Sequence, residues 1–330
     1  MDVLILAPDL SRSCALEDDR LLELTGRYSL PTMAFPRDAG ALQLDTLAAH
    51  AEAELDDVLY GDSGLYRDRQ FSKAEAMTLR TTYDELFLLW DQELKYRPGF
   101  EAADQSVTMP VLYAKVSGVE RGDPDAYWQK IRLLTGEDTL LARRMPMRAP
   151  GSANARQALA VKCLRDGRLN RAALLRDRQY PFGFIRTELQ RHMLDKLQLM
   201  LDRRLIRGTF ENGAEYTVVA TVLDMGQTLL RMLQRFDFTK RNPKLVCVCA
   251  DDRAVSLEDA ILITFLNLVG FDIALFVPTG YLTVERYLND NLPVEHQAGE
   301  YLYDLTPPDI EALPRPRERS WLTSLFRRGR

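Results

Sequence analysis

Residues 244–281 read KLVCVCADDRAVSLEDAILITFLNLVGFDIALFVPTGY, and their pattern decides the fold class. The run 245–250 is continuously apolar and rich in β-branched residues, as expected of a strand buried on both faces. Ser256, followed three residues later by Asp259, marks a helix start. The helix it opens is apolar nearly all round (Leu257, Ala260, Ile261, Leu262, Phe265, Leu266, Val269), and Gly270 stops it. Residues 271–277 make a second buried strand. Strand, helix and strand on short connections imply a parallel pair with a right-handed crossover. The class expected is therefore α/β, with parallel Rossmann-like sheet elements.

Working outward, VLYAKVS after Pro110 reads as another strand, and Asp123-Pro124 as a capped helix start. Ser72 and Glu75 have the spacing of a capping box. They predict a helix running to about Tyr96, with Leu79, Tyr83, Leu86, Phe87, Trp90 and Leu94 on one face, ended by Pro98-Gly99. Residues 2–6 read as an opening strand and 42–59 as an amphipathic helix. Between 154 and 236 the pattern is mostly helical, with segments expected at 155–166, 171–176, 184–205 and 218–235. VVATVL at 218–223 would also suit a strand, and 283–289 reads as a short helix. The domains expected are an α/β lobe over 1–150, a large helical middle region over 151–236, a Rossmann-like lobe over 237–312 and a basic flexible tail over 313–330.

Composition narrows the function classes. The 330 residues are 46% hydrophobic and 28% charged, with a net charge of −5, so the chain is globular and no nucleic-acid partner is expected. No apolar run approaches the ~18 residues of a membrane span. No basic segment precedes the short apolar run at the start, which argues against a signal peptide and for a cytoplasmic protein. The last sixteen residues carry six arginines, and Trp321, Leu322, Leu325 and Phe326 would share a helix face. Weak membrane-surface contact through 321–330, out to Arg330, is the peripheral alternative. Cys14, Cys163, Cys247 and Cys249 read as reduced thiols, and a single CxC is a poor zinc signal. No metal site is expected, and no residue pattern names a cofactor.

Parallel sheets bind ligands beyond the carboxyl ends of their strands. Two loops meet that description: Asp251, Asp252 and Arg253 after one strand, and Pro278, Thr279, Gly280 and Tyr281 after the next. Gly280 lets backbone amides approach an anion, Thr279 offers a hydroxyl, and Tyr281 a stacking face. Neither a Walker A loop nor GxGxxG is present. A turn with a packed tyrosine is an equally good reading of these residues. His296 and Glu300 lie four apart and, with Asp251, are the acid/base candidates. Tyr303 follows as a further ligand contact. Pro293 and Gly299 argue against a helix there, so His296 reads first as a hydrogen-bonded loop residue. Arg97, at a helix end, and Lys115, in an otherwise apolar strand, are anion-binding candidates. A lysine so placed has to be paired or reach an edge.

Five stretches carry a family resemblance: TTYDELFLLWDQELKYRPGF (81–100), MPVLYAKVSGV (109–119) with Tyr127-Trp128, LLRMLQRFDFTKRNPKLV (229–246), FDIALFVPTGYLTVERYL (271–288) and HQAGEYLYDL (296–305). Together they resemble the YceG-type family of biosynthetic-module components encoded in tellurite-resistance (Ter) stress clusters. The resemblance implies a bacterial stress-response role beside TerD-like calcium-binding, ATP-grasp and phosphoribosyltransferase-like proteins. It carries over no catalytic residues. The chain looks short for that family, lacking much of an amino-terminal half, which argues against a duplicated or two-lobed site.

Two functions follow as expectations. One is binding of a nucleotide, nucleotide-sugar or phosphorylated metabolite, with glycosyl-like group transfer as the reaction. The other is a non-catalytic scaffold or adaptor for Ter-family partner proteins, at the membrane surface in one version.

Overall fold

The computed structural model describes residues 73–103, 106–148, 150–236, 241–251 and 255–315. The strand expected at 2–6, the helix at 42–59, Ser72, Asp252, Arg253 and the tail from 316 lie outside these described residues.

The described chain enters on β1 (Lys73–Thr78) and turns into α1 (Tyr83–Trp90). After a 3-10 turn at Leu94–Tyr96 it returns through β2 (Glu101–Ala102) and β3 (Ser106–Val111). These strands form a small sheet in the order β1-β3-β2. Leu112 alone separates β3 from β4 (Tyr113–Ser117), so one extended segment serves two sheets. Next come α2 (Pro124–Leu134) and β5 (Thr139–Ala142). The helical block comprises α3 (Asn154–Cys163), a hairpin of β6 (Leu164–Arg165) and β7 (Arg168–Leu169), α4 (Arg171–Arg176), α5 (Thr187–Asp202), α6 (Ala214–Leu223) and α7 (Gln227–Gln234). The chain closes with β8 (Lys244–Val248), α8 (Leu257–Val269), β9 (Asp272–Val277) and β10 (Val294–Gln297).

The larger sheet has the order β10-β4-β9-β8-β5, and every neighbouring pair is parallel. The α/β class and the parallel β8–α8–β9 unit are as the sequence indicates. The lobes expected at 1–150 and 237–312 meet in this one sheet, because β4 and β5 pair directly with β9 and β8. Alternation along the strands sends Leu112, Ala114, Val116, Val246, Val248, Ala274 and Phe276 to a core shared with α1 and α2. Leu245, Cys247, Ile273, Leu275 and Val277 face the other core, built with α5, α6 and α8. Parallel strands buried on both sides explain the unbroken apolar runs. Burial also pushes the Cys247 thiol well up, so it stays protonated. Among the described residues, no helix is long and apolar enough to cross a membrane.

Three local expectations need correction. Glu75 lies in β1, where residues 73–78 pair with β3, and not in a helix. The capping box that opens α1 belongs to Thr82 and Glu85: the Thr82 amide donates to Glu85 Oε2 at 2.7 Å, and the Glu85 amide to Thr82 Oγ1 at 3.4 Å. The helix expected over 218–235 is broken between Leu223 and Gln227, where Asp224 ends α6 and Gly226 precedes α7. Residues 218–223 are thereby helical, and 283–289 holds only a 3-10 turn at Val284–Arg286.

The junction of the two sheets is held by a fully buried ion pair. Arg97 donates through Nη1 and Nη2 to both Asp272 carboxylate oxygens, at 2.8 and 2.6 Å. Both side chains are 0% exposed. The same guanidinium reaches the carbonyls of Pro110 (3.1 Å), Gln92 (3.1 Å) and Trp90 (3.4 Å). The Leu112 amide donates to Asp272 Oδ1 at 2.9 Å. Arg97, an anion-binding candidate from sequence, is therefore a structural residue with no free face for a ligand.

The helical block packs on α8 partly through His192 of α5, whose Nε2 donates to the Val269 carbonyl at 2.8 Å. Burial pulls the His192 imidazole down to about 4, the hydrogen bond to Val269 opposing only part of that shift. The native state resists protonating His192, whereas the unfolded chain protonates it below the ordinary value of 6.5. The unfolded state thus binds more protons in that window, and stability falls as pH drops from 6.5 toward 4. Urea denaturation should show a loss of roughly 3 kcal/mol across it from this group. His192→Gln should flatten the profile by that amount; superimposable wild-type and variant profiles would refute the role given to His192.

Candidate functional site

Because its strands are parallel, the larger sheet has a single carboxyl edge, and the segment after β10 is draped across it. Ala298 donates to the Ser117 carbonyl at 2.8 Å, Val119 and Glu300 exchange bonds of 2.7 and 3.0 Å, and Leu302 donates to Pro278 at 3.0 Å. The crossing is tight. A Cβ on Gly118 would stand 2.6 Å from the Gly299 carbonyl oxygen, and a Cβ on Gly299 would overlap the Val119 carbonyl oxygen. Gly280, at φ +70°, lies against the Tyr301 ring. Its missing side chain makes room for an aromatic ring, where the sequence had suggested an anion.

The tyrosines form the accessible part of this edge. Tyr281, Leu282, Tyr301 and Tyr303 are 39% to 57% exposed, and the Tyr281 and Tyr303 rings lie 5.9 Å apart at 57°. Thr279, by contrast, is buried, and its hydroxyl accepts from the Tyr281 amide at 3.5 Å, which steadies the turn. Asp251 is exposed at the end of β8.

On the α8 side of the sheet, Lys115 is enclosed between two carboxylates, Glu285 at 2.8 Å and Glu295 at 3.2 Å. Ser117 Oγ donates to the same Glu295 oxygen at 2.6 Å, and Glu285 also accepts from the Thr283 amide and hydroxyl at 2.8 and 2.9 Å. Burial alone would raise the Glu285 carboxyl, but the Lys115 hydrogen bond and charge bring it below the ordinary carboxylate value. Lys115 is paired, as a buried lysine must be. The anion role expected of it is filled by the protein's own carboxylates.

On the opposite side, His296 and its neighbours form a second polar cluster. His296 lies in β10, not in a loop or helix, and its Nε2 sits 3.3 Å from Thr81 Oγ1. The Tyr83 ring is 6.4 Å away, centroid to centroid. Lys130 of α2 donates to Tyr83 Oη at 3.1 Å and pairs with Glu120. Burial lowers the His296 imidazole, so it is neutral at pH 7 and fit to accept a proton. Burial likewise raises the Tyr83 phenol, against the opposing Lys130 charge. Tyr127 adds a buried hydroxyl with no partner among the described residues. Glu300 sits apart from His296, its carboxylate over Gly122.

The structure thus brings Thr279, Gly280, Tyr281 and Tyr303 to one edge, with the Glu300 carboxylate over Gly122, His296 against Thr81 and Asp251 beyond the end of β8. It removes Arg97 and Lys115 from ligand contact. Thr81, Tyr83, Glu120, Lys130, Glu285 and Glu295 were not readable as site residues. The one signal was strand alternation, which sends Glu295 to the Lys115 side and His296 to the other. Among the described residues, no three His, Cys, Asp or Glu side chains converge on a metal position.

A family model described as the YceG domain matches residues 80–307. The chain is also 25% identical over 302 residues to a Bacillus subtilis (strain 168) protein named "Uncharacterized protein YceG", covering 88% of this chain and 56% of that relative. It therefore spans about half the length of the curated relative it matches. No solved structure matches it.

The crossing of the edge separates two glycine substitutions. Gly299→Ala sets a methyl against backbone and should destabilise by more than about 2 kcal/mol. Gly280→Ala meets only a partly exposed ring and a left-handed φ, and should cost about 1–2 kcal/mol. Thermal unfolding of the two variants checks the order, and a more stable Gly299→Ala would contradict the draped geometry.

Proposed function

The chain belongs to the YceG family, and from that premise we propose that it is a ligand-binding component of a Ter-type chemical-stress system. Its ligand in this reading carries a sugar, as a nucleotide-sugar or related phosphorylated metabolite does. The observation that carries it is the exposed tyrosine cluster at the carboxyl edge of an all-parallel sheet. Aromatic faces stack on the apolar face of a sugar or on a base, contributing about 1–3 kcal/mol per base in nucleic-acid binders. Glu300 and Asp251 flank that edge and accept hydrogen bonds from hydroxyls. The edge of a parallel sheet is also where such folds hold their ligands.

Glycosyl-type transfer is compatible with these groups. A carboxylate or neutral His296 takes the proton from an acceptor hydroxyl as its oxygen bonds to the sugar's anomeric carbon. The bond to the phosphate leaving group breaks, and that group departs with the electron pair. A second reading, an adaptor that docks a Ter-family partner protein, is favoured by Leu282, 57% exposed beside the tyrosines. Exposed aliphatic and tyrosine side chains together suit a protein interface.

Calorimetric titration with UDP-glucose, UDP-N-acetylglucosamine and ADP-ribose tests the first reading. At least one should bind, and the double change Tyr281→Ala with Tyr303→Ala should weaken it tenfold or more. Leu282→Ser should leave that affinity intact. Silence across the panel, or binding indifferent to the tyrosines, would remove the sugar-ligand reading.

A further inference from the structure

A second binding site lies in the helical block, away from the sheet edge. Residues 176–179 leave the end of α4 and pass over α3, and between them is an open cleft of about 450 Å³ lined at its base by exposed Ala158. Its walls are basic: Lys162 from α3, and Arg176 and Arg178 from the crossing segment.

The local charges do not cancel. Asp177 pairs with Lys162 and also accepts from the Gln179 amide at 2.9 Å, so its carboxylate is engaged on both oxygens. At one end, Arg156 Nη1 donates to the Gln179 carbonyl at 2.9 Å and fixes the crossing segment to α3. Arg176 and Arg178 pair with no carboxylate among the described residues. Arg97, Lys115 and Lys130, by contrast, each hold a carboxylate. The cleft thus presents two uncompensated guanidinium groups beside a neutralised ion pair, with Ala158 at its base.

We propose that this cleft binds a phosphate-bearing small molecule, its phosphate oxygens bridging Arg176 and Arg178 and its less polar part lying over Ala158. Guanidinium forks match phosphate geometry through paired, charge-assisted hydrogen bonds. Lys162, held by Asp177, sets the wall that limits the ligand. The site is independent of the tyrosine edge and does not rest on the sugar-ligand reading.

Inorganic pyrophosphate is the probe, titrated calorimetrically into the full chain, with sulfate at equal ionic strength as the charge control. Pyrophosphate should bind, and the Arg176→Gln, Arg178→Gln double variant should weaken it at least tenfold. The tyrosine double variant should bind it as the wild type does. Both arginines are exposed, so the variant should unfold at the wild-type temperature, which separates lost binding from lost folding. The site is refuted if pyrophosphate gives no heat, if the arginine variant binds equally well, or if sulfate competes at equal concentration.

Discussion

The Arg97–Asp272 pair is the constraint on which the rest of the structure depends. Asp272 opens β9, at the centre of the larger sheet, and its carboxylate also fixes the Leu112 amide where β3 becomes β4. Arg97 extends the same junction to Trp90, Gln92 and Pro110, tying the end of α1 to both sheets. Two charges withdrawn from water are tolerable only if every donor and acceptor is answered. Here the carboxylate is met by two guanidinium nitrogens and a backbone amide. Because β9 lies between β4 and β8, its position sets the level at which the strands end. The tyrosine edge is downstream of that registration.

The same logic governs the cations that the sequence offered as ligand contacts. Lys115 and Arg97 stood out because a charge in an apolar context demands a partner. The sequence shows the demand but not who meets it. Asp272 is 175 residues from Arg97. Glu295 reaches Lys115 because β10 returns to pair beside β4, and Glu285 reaches it from the 3-10 turn between β9 and β10. Arg176 and Arg178, in the helical block, pair with no carboxylate among the described residues.

The parallel sheet was legible because 245–250 and 271–277 are continuous apolar runs joined by a capped, all-apolar helix. The edge loops followed from that topology, with Tyr281 in the loop after β9, whereas Tyr303 comes beside it only through the segment that returns after β10. Glycine's purpose was less legible. Gly280 and Gly299 make room for a ring and for a crossing backbone, contacts made by residues remote in sequence or turned by the fold. The Ser72–Glu75 spacing misled because a capping signature is local, whereas residues 73–78 find a strand partner in β3. Thr82 and Glu85 carry the same signature ten residues later, where helix formation meets no such competitor.

A double-mutant cycle on Arg97→Met and Asp272→Leu, read by equilibrium urea denaturation, tests most directly whether this pair organises the fold. Each single change strands a buried charge and should destabilise by about 3–5 kcal/mol. The double variant should be less damaged than the sum of the singles by 2 kcal/mol or more, a coupling typical of groups in one network. It should still fall short of wild type, because the Trp90, Gln92 and Pro110 carbonyls and the Leu112 amide lose their partner. Additive single effects within about 0.5 kcal/mol, or a double variant as stable as wild type, would contradict the organising role.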